Sequence, residues 1–253
     1  MTVARALAFQ AYLYTVSAIM TLGGLPLLVL PRLWTVNAMR LWSRLQLWGA
    51  AWITGITYEI RGAEHLPPGP CLIASKHQSM WDTIFWIVGA RDPAIVLKKE
   101  LTYVPLYGWY ALKVGMIAID RGAGPRAIRK LVRQGRRALD QGRPIMIFPE
   151  GTRQAPGAPA AYKPGVAALY TQLNVPCVPV ALNSGLFWAR RALTRKPGKI
   201  VVEIQPAIPP GLARRTFMAR LEAAIEPATA RLVAEAHEKG AQAQDTQQDT
   251  QEA

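Results

Sequence analysis

The stretch CLIASKHQSMWD, residues 71–82, decides the fold, because a short apolar run ends there in a string of polar residues. Apolar runs of about four to eight residues are typical of buried strands. Six further runs of this kind are ITYEI (56–60), AIVLK (94–98), MIAI (116–119), PIMIF (144–148), VPVAL (178–182) and KIVVEI (199–204). Helical stretches alternate with most of them, which predicts an α/β fold with a mixed, largely parallel sheet flanked by helices.

The N-terminal region is strongly apolar. No charged residue stands between Arg5 and Arg32, and a helix of about 20 residues suffices to cross the hydrocarbon core of a membrane. A second apolar stretch, rich in tryptophan, runs from Leu41 to Ile56. Two interpretations stay open: one transmembrane span, or two short helices embedded in one leaflet. A cleaved signal peptide fits less well, because no clear small-residue cleavage site follows the first segment.

The arginines around the first apolar segment predict its orientation. Arg5 alone precedes the segment, whereas Arg32, Arg40 and Arg44 follow it. The excess of positive charge after a span marks the cytoplasmic side. We therefore expect the rest of the chain on the cytoplasmic side of a membrane, the bacterial inner (plasma) membrane.

The bulk composition also favours a membrane surface. The formal net charge is +14, and 51% of the residues are hydrophobic. A positive surface attracts anionic lipids, phosphorylated substrates and nucleic acid, but the sequence has no basic strand interleaved with aromatic residues and no helix-turn-helix signal. We expect membrane lipids as partners and no nucleic acid. Cys71 and Cys177 indicate neither a disulfide framework nor a thiolate metal site.

Residues 125–139, PRAIRKLVRQGRRAL, predict a basic amphipathic helix. Its apolar face carries Ile128, Leu131, Val132 and Leu139, and six lysines and arginines cover the remainder. One interpretation is a solvated face on a helix that packs against the sheet. The other is contact with anionic lipid headgroups, which contributes about 1 kcal/mol per basic residue near the surface.

Three parts of the chain are predicted. Residues 1–55 form membrane-embedded helices, and residues 56–239 form the α/β domain. Residues 240–253 have almost no apolar side chain beyond alanine. Burial therefore cannot offset the entropy of ordering this last segment, which is predicted to be a disordered tail.

His77 directly follows the predicted strand 71–75, and Asp82 stands five residues later. If a helix begins near Ser79, its first turn can bring the Asp82 carboxylate to one imidazole nitrogen and leave the other nitrogen free to accept a proton. That is the arrangement of a general base and the carboxylate that orients it. The alternative is a surface histidine beside a helix-capping Ser79.

Other chemistries find less support. His65 and His237 lie far from His77 in the sequence, and there is no HExxH motif, so metal catalysis is not expected. No GxSxG motif is present, and neither Ser75 nor Ser79 stands in a nucleophile elbow. The nucleotide-binding patterns GxGxxG and GxxxxGK[ST] are also absent, so we expect no nucleotide cofactor. Direct attack by a substrate hydroxyl is the simpler hypothesis.

A second motif, FPEGTR at 148–153, follows another predicted strand. Pro149 and Gly151 enforce a tight loop whose backbone amides are available to an anion. Arg153 adds a planar fork of donors that suits a phosphate. The alternative is an ordinary turn with a surface ion pair between Glu150 and Arg153.

These two motifs together carry a resemblance. HQSMWD at 77–82 followed by FPEGTR at 148–153 resembles the glycerolipid acyltransferases, and closely the 1-acylglycerol-3-phosphate O-acyltransferases (lysophosphatidic acid acyltransferases) among them. Three segments in the family's order and spacing extend the resemblance over roughly residues 55 to 210: KKELTYVPLYGW (98–109), GMIAIDR (115–121) and VPCVPVAL (175–182).

The resemblance implies an activity. A fatty acyl group passes from acyl-CoA, or from acyl carrier protein, to the 2-hydroxyl of lysophosphatidic acid, which gives phosphatidic acid in phospholipid biosynthesis. It implies no cofactor beyond the acyl donor, and it makes residues 56–239 a glycerolipid acyltransferase domain. The alternatives are another lysolipid acceptor, such as lyso-ornithine lipid, and more remotely a non-catalytic basic membrane-binding protein.

The resemblance also implies roles for single residues. His77 of the HX4D motif deprotonates the glycerol hydroxyl, and Asp82 holds the imidazole. The implied substrate-binding residues are Lys98, Arg121, Glu150, Gly151, Thr152 and Arg153. Lys98, Arg121 and Arg153 are expected to receive the substrate phosphate, and Lys99 offers the same charge one position after Lys98.

Overall fold

The structure is a computed structural model, and it describes residues 3–190 and 192–252. The strands in these residues are β1 (Ile56–Arg61), β2 (Leu72–Ser75), β3 (Ala94–Lys98), β4 (Ile117–Ile119), β5 (Ile145–Ile147), β6 (Cys177–Leu182) and β7 (Gly198–Ile204). The α-helices are α1 (Val3–Gly23), α2 (Arg32–Gly49), α3 (Met80–Gly89), α4 (Tyr107–Lys113), α5 (Gly124–Asp140), α6 (Pro164–Leu173) and α7 (Arg214–Glu252).

The strands form a single sheet in the order β1-β7-β6-β2-β5-β3-β4. The strands from β6 to β4 run parallel to one another, β7 is antiparallel to β6, and β1 is parallel to β7. The predicted mixed, largely parallel α/β sheet is confirmed. Every predicted strand ends within one residue of its predicted bounds, because polar residues, glycine or proline flank each apolar run.

Helices cover both faces of the sheet. One face packs against α1, α2 and α3, and the other packs against α5, α6 and α7. The side chains of β2 alternate between these two layers, with Ile73 in the first and with Leu72 and Ala74 in the second. Burial on both faces explains why the central strands read as unbroken apolar runs.

The N-terminal helices pack onto the α/β domain. Phe9 of α1 is fully buried and meets Trp188 edge to face at a centroid distance of 5.2 Å. The guanidinium of Arg195 lies 4.7 Å from the Trp188 ring centroid and 5.9 Å from that of Phe9. Ser43 of α2 donates a hydrogen bond of 2.6 Å to the carbonyl of Ile84. The first two helices therefore share the domain's core.

Helix α1 is long and apolar enough to cross a membrane, and it is the one helix of that kind among the described residues. Helix α2 begins at Arg32, directly after Pro31, so it starts before the apolar stretch that the sequence singles out. A π-helical turn, Ala50–Thr54, follows α2 and leads into β1.

The end of the chain differs from the predicted disordered tail. The backbone of residues 240–252 continues helix α7. Alanine and glutamine dominate this segment, and both have favourable helix propensities. The helix propensity of these residues accounts for the helical backbone, although their sequence has no apolar stripe. Residue 253 lies outside the described residues.

Candidate active site

Neighbouring parallel strands bring the predicted site residues to one edge of the sheet. β2 leads to His77, β5 leads to residues 148–153, β3 ends at Lys98, and β4 leads to Arg121. These four strands are adjacent, in the order β2-β5-β3-β4. The carboxyl ends of adjacent parallel strands open into one crevice, so motifs that are distant in sequence meet there.

His77 and Asp82 form the predicted pair. Nδ1 of His77 lies 3.0 Å from Oδ2 of Asp82. Because an ionised carboxylate can only accept, Nδ1 carries the proton and donates, and Nε2 keeps its lone pair. Asp82 is fully buried, and 8% of His77 is exposed. The carboxylate therefore lies behind the imidazole, and the alternative of a surface histidine is wrong.

The start of helix α3 fixes this geometry. Ser79 is the N-cap residue, and its hydroxyl accepts a hydrogen bond of 3.1 Å from the backbone N–H of Trp81. Asp82 Oδ2 accepts from the backbone N–H groups of Gln78 and Ser79, at 2.7 and 2.9 Å. Three hydrogen bonds thus converge on one carboxylate oxygen. These donors fix the orientation of the carboxylate at the start of α3.

Glu150 lies in the interior behind the histidine. It is fully buried, and its Oε2 accepts a 3.0 Å hydrogen bond from the backbone N–H of His77. Its Oε1 is 2.7 Å from Nζ of Lys76. Burial raises the pKa of Glu150, and the hydrogen bond with Lys76 opposes that effect. Both oxygens contact groups within the protein, so the alternative of a surface pair between Glu150 and Arg153 is wrong.

A large cavity opens in front of His77. Its volume is about 1760 Å³, whereas sites for small molecules usually measure about 300–1,000 Å³. The apolar walls come mainly from α1, α2, α3 and α4, and include Leu13, Met39, Trp42, Ile87 and Tyr110. Six cationic side chains line the same cavity, namely Lys98, Arg121, Arg129, Arg153, Lys163 and Arg190. One side of the cavity suits hydrocarbon and another suits an anion.

The predicted site residues are brought together. Seven of the eight line the cavity, and Asp82 is the buried partner of His77. Lys98 is exposed and lines the cavity, whereas Lys99 is not part of the lining and pairs with Asp120 over 3.1 Å. Removal of water around their guanidinium groups lowers the pKa of both Arg121 and Arg153. The structure therefore favours Lys98 over Lys99 as the cation of this site.

Gly151 makes the tight turn that the FPEGTR motif predicts. Its φ is +68°, a conformation that costs other residues about 1–2 kcal/mol. A Cβ atom at this position would lie 3.3 Å from Cγ of Lys163 and 3.6 Å from Cζ of Arg121. The backbone approaches two cations closely here, and a Cβ atom would crowd Lys163 and touch Arg121.

Sequence reasoning assigned no site role to four residues around the site. Arg129, on the basic helix α5, lines the cavity. Lys163, the N-cap residue of α6, and Arg190 line the cavity, but neither stands next to a motif. Lys76 precedes His77 and is buried to 2% exposure, although a lysine at a strand end ordinarily reaches solvent. Within the described residues, no three His, Cys, Asp or Glu side chains are grouped so that they could hold a metal ion.

The fold and the site define a class of protein: an α/β protein with a histidine–aspartate pair at a lipid-sized cavity lined by cations. Residues 57–183 match the family model described as Acyltransferase. The chain belongs to this acyltransferase family, as its motifs predict.

Similar proteins agree with this membership. A 1-acyl-sn-glycerol-3-phosphate acyltransferase of Pseudomonas aeruginosa is 41% identical over 168 residues, which cover 66% of this chain and 65% of that protein. The alpha form from Mus musculus is 31% identical over 169 residues, covering 65% of this chain and 59% of its own length. The chain thus spans about three fifths of the length of these relatives.

A solved structure shows the same fold. The crystal structure of the 1-acyl-sn-glycerophosphate (LPA) acyltransferase PlsC from Thermotoga maritima matches with a TM-score of 0.74 at 20% sequence identity. The match covers 90% of this chain and 96% of that one, so the likeness extends beyond the family match to both ends of the fold.

Proposed function

We propose that this protein transfers a fatty acyl group from acyl-CoA, or from acyl carrier protein, to the 2-hydroxyl of 1-acylglycerol-3-phosphate, giving phosphatidic acid for phospholipid biosynthesis. The observation that carries the proposal is the position of His77, which is paired with Asp82 and lines a cavity that is both apolar and cationic. The acyltransferase family and the names of the relatives support the same acceptor.

His77 is the general base of the proposed reaction. Its Nε2 takes the proton of the glycerol 2-hydroxyl while the hydroxyl oxygen attacks the thioester carbonyl. Asp82 stabilises the imidazolium that forms. Collapse of the tetrahedral intermediate completes the new ester, breaks the carbon–sulfur bond and returns the proton from Nε2 to the leaving thiolate. These steps use no acyl-enzyme, metal ion or cofactor.

The cations around the cavity bind the phosphate of the acceptor. Arg121 and Arg153 offer planar forks that match phosphate oxygens two at a time, and Lys98 adds a point charge. Among the described residues, no acid lies within 4.0 Å of either guanidinium. Their positive charge is therefore available to a ligand.

The apolar walls of the cavity hold the acyl chains. They begin next to His77 at Met80 and continue to Trp42 and Leu13 of the N-terminal helices. A chain that lies along these walls leaves water, which favours binding by about 0.8 kcal/mol for each buried methylene.

We further propose that α1 and α2 insert into one leaflet. Near one end of α1, Arg5 Nε donates a 2.9 Å hydrogen bond to the carbonyl of Ile53. Near the other end, the Tyr110 hydroxyl donates one of 2.7 Å to the carbonyl of Thr21. A helix held to the domain at both ends cannot cross the bilayer while the domain stays in water.

The outer surface of this region suits a membrane. Exposed apolar side chains of α1 and α2 include Leu7, Tyr14, Leu22, Trp34 and Trp48. The segment 101–112, which packs beside residues 25–28 through α4, exposes Leu101, Tyr103, Val104, Tyr107, Trp109 and Leu112. Tyrosine and tryptophan favour the interface between headgroups and hydrocarbon.

The first test is release of free thiol from acyl-CoA by the purified, detergent-solubilised protein, with and without 1-acylglycerol-3-phosphate. We expect release that requires the acceptor, and phosphatidic acid as product. His77→Ala should abolish it. His65→Ala is the matched control, because the His65 ring bonds to the carbonyl of Ile204 rather than lining the cavity. Rapid acylation of a phosphate-free lysolipid, with none of 1-acylglycerol-3-phosphate, would overturn the proposed acceptor.

Parallel reactions identify the acyl donor. Acyl-CoA and acyl carrier protein that carry the same acyl group are supplied at equal concentration with the same acceptor. Turnover with one and not the other assigns the donor. Release of thiol without any acceptor identifies a thioesterase instead and contradicts the proposed transfer.

A further inference from the structure

A buried ion-pair cluster lies directly behind the proposed catalytic histidine. Lys76 is 2% exposed, and its Nζ lies 2.7 Å from Glu150 Oε1. The same ammonium donates to both carboxylate oxygens of Glu226, at 2.9 and 2.8 Å. The Tyr162 hydroxyl donates a 2.7 Å hydrogen bond to Glu226 Oε1. One lysine thus joins the end of β2, the loop after β5 and helix α7.

A buried ammonium group such as that of Lys76 is energetically unfavourable unless its interactions offset the cost of burial. Removing a charge from water costs several kcal/mol, and packed apolar side chains of similar volume often stabilise a fold as well or better. Lys76 cannot bind substrate either, because Lys76, Tyr162 and Glu226 are not among the cavity-lining residues of the described chain. Packing and substrate binding therefore leave the charge of Lys76 unexplained.

The contact of Glu150 with the backbone of His77 explains why a charged lysine is buried here. Glu150 Oε2 accepts the His77 backbone N–H over 3.0 Å, and a charge-assisted hydrogen bond of this kind is about twice as strong as a neutral one. Burial raises the pKa of Glu150, and the hydrogen bond with Lys76 acts in the opposite direction. The ammonium, 2.7 Å from Glu150 Oε1, favours the carboxylate form and holds it against the backbone N–H of His77.

Glu226 completes the cluster from a distant element. It belongs to α7, outside the residues 57–183 that match the acyltransferase family, and a quarter of its side chain is exposed. Its two hydrogen bonds to the ammonium and the one from Tyr162 restrict where Lys76 can lie. Without Glu226, the lysine would be free to turn toward solvent and leave Glu150 unpaired.

We propose that Lys76 and Glu226 are positioning residues for the proposed transfer reaction, which fix the imidazole of His77 through Glu150. The proposal rests on His77 acting as the general base. A misplacement of about 1 Å in a reacting group can lower a rate about 100-fold. Loss of Lys76 or Glu226 should therefore lower kcat and leave KM unchanged for both substrates, because neither side chain lines the cavity.

The test compares Lys76→Met with Arg143→Met in the full-length protein. Arg143 is a matched control: it is 5% exposed, pairs with Asp92 over 3.3 Å, and precedes β5 at the opposite edge of the sheet. We expect both variants to lose stability, and Lys76→Met alone to lose about 100-fold in kcat with KM unchanged. Unchanged kcat in Lys76→Met, or an equal loss in Arg143→Met, would overturn the proposal.

A double variant separates positioning from folding. Lys76→Met with Glu226→Gln removes both charges of the pair, so part of the lost stability should return. Because Glu150 still lacks its cation, kcat should remain low. Recovery of kcat together with stability would show that the cluster serves the fold alone. Glu226→Gln by itself keeps the test decisive if Lys76→Met does not fold, with a smaller loss of kcat expected.

A measurement without turnover distinguishes this proposal from the proposed reaction. The chain has three histidines, so ¹⁵N NMR in detergent micelles can report the ring tautomer of His77 after assignment by His77→Gln. We expect one tautomer, protonated at Nδ1, in the wild type and a mixture in Lys76→Met. A single tautomer in both would refute the positioning role. If instead the wild type transferred no acyl group, that result would contradict the proposed reaction, whatever the NMR spectra show.

Discussion

The imidazole of His77 lies flat on the ring of Phe148, with centroids 3.8 Å apart and planes 15° apart. Phe148 opens the second motif, so the two motifs touch at the ring of the proposed base as well as through the contact of Glu150 with the His77 backbone. The ring is held by stacking on one face and by Asp82 at Nδ1. Nε2 alone remains for the substrate.

Asp82→Asn is expected to lower kcat by about 10²–10⁴-fold, the range typical of a lost general-base function. An amide can still accept hydrogen bonds from the amides at the start of α3, but it does not stabilise an imidazolium. The measurement is steady-state thiol release with both substrates saturating. A variant with full kcat would contradict the role of Asp82, and a thermal unfolding curve close to that of the wild type is the control for folding.

Lys98→Ala is expected to raise KM for 1-acylglycerol-3-phosphate, because Lys98 lines the cavity. Lys99→Ala is the matched control, since Lys99 pairs with Asp120 outside the cavity lining. One lost charge-assisted hydrogen bond is worth about 1.5–3 kcal/mol, which corresponds to a KM change of about 10- to 100-fold. Equal KM values for the two variants would contradict the choice of Lys98.

Gly151→Ala should affect both stability and substrate binding. The positive φ makes alanine cost about 1–2 kcal/mol in the free energy of unfolding, and the new methyl group meets Lys163 and approaches Arg121. Gly142→Ala has a similar φ, +72°, with no atom within 4 Å of the new Cβ, so it should lose stability without a change in KM. Chemical denaturation and acceptor titrations on both variants check this. A change in KM for Gly142→Ala would show that the KM change of Gly151→Ala does not depend on contacts with the cavity residues.

Trp109→Glu is expected to weaken binding to vesicles that contain anionic lipid. Trp109 is 52% exposed beside the N-terminal helices, and a carboxylate there would face hydrocarbon or headgroups. Ala219→Glu adds the same charge on α7, which covers the other face of the sheet, and should leave binding unchanged. Co-sedimentation with vesicles gives the comparison, and equal binding by both variants would place the membrane contact elsewhere.

The two cysteines should resist thiol reagents in the folded protein. Both are free and buried, and burial raises the pKa of Cys71 to about 11. Because only the thiolate reacts, a thiol that stays protonated at neutral pH is inert. We expect labelling by a chromogenic disulfide reagent only after denaturant is added, and rapid labelling of the native protein would contradict the buried position.

Local sequence signals were sufficient for the strands and for the histidine–aspartate pair. The apolar runs are bounded by polar residues, which predicts the strands. Ser79 predicts the start of α3, and the first turn of that helix brings Asp82 to His77. The cavity-lining cations Lys163 and Arg190 had no such local signal. Lys76 depends on Glu226, 150 residues away in sequence, and only the packing of α7 against the sheet brings them together.

Helix α1 contributes side chains to the core of the α/β domain. Phe9, Trp188 and Arg195 contact one another, and the core cluster around Ile73 includes Phe9, Leu13 and Leu47. A protease that cut between α2 and β1 would not liberate a soluble enzyme, since the remaining domain would lose part of its own interior. The contacts that would attach the protein to a membrane under the proposed insertion therefore also contribute to the stability of its fold.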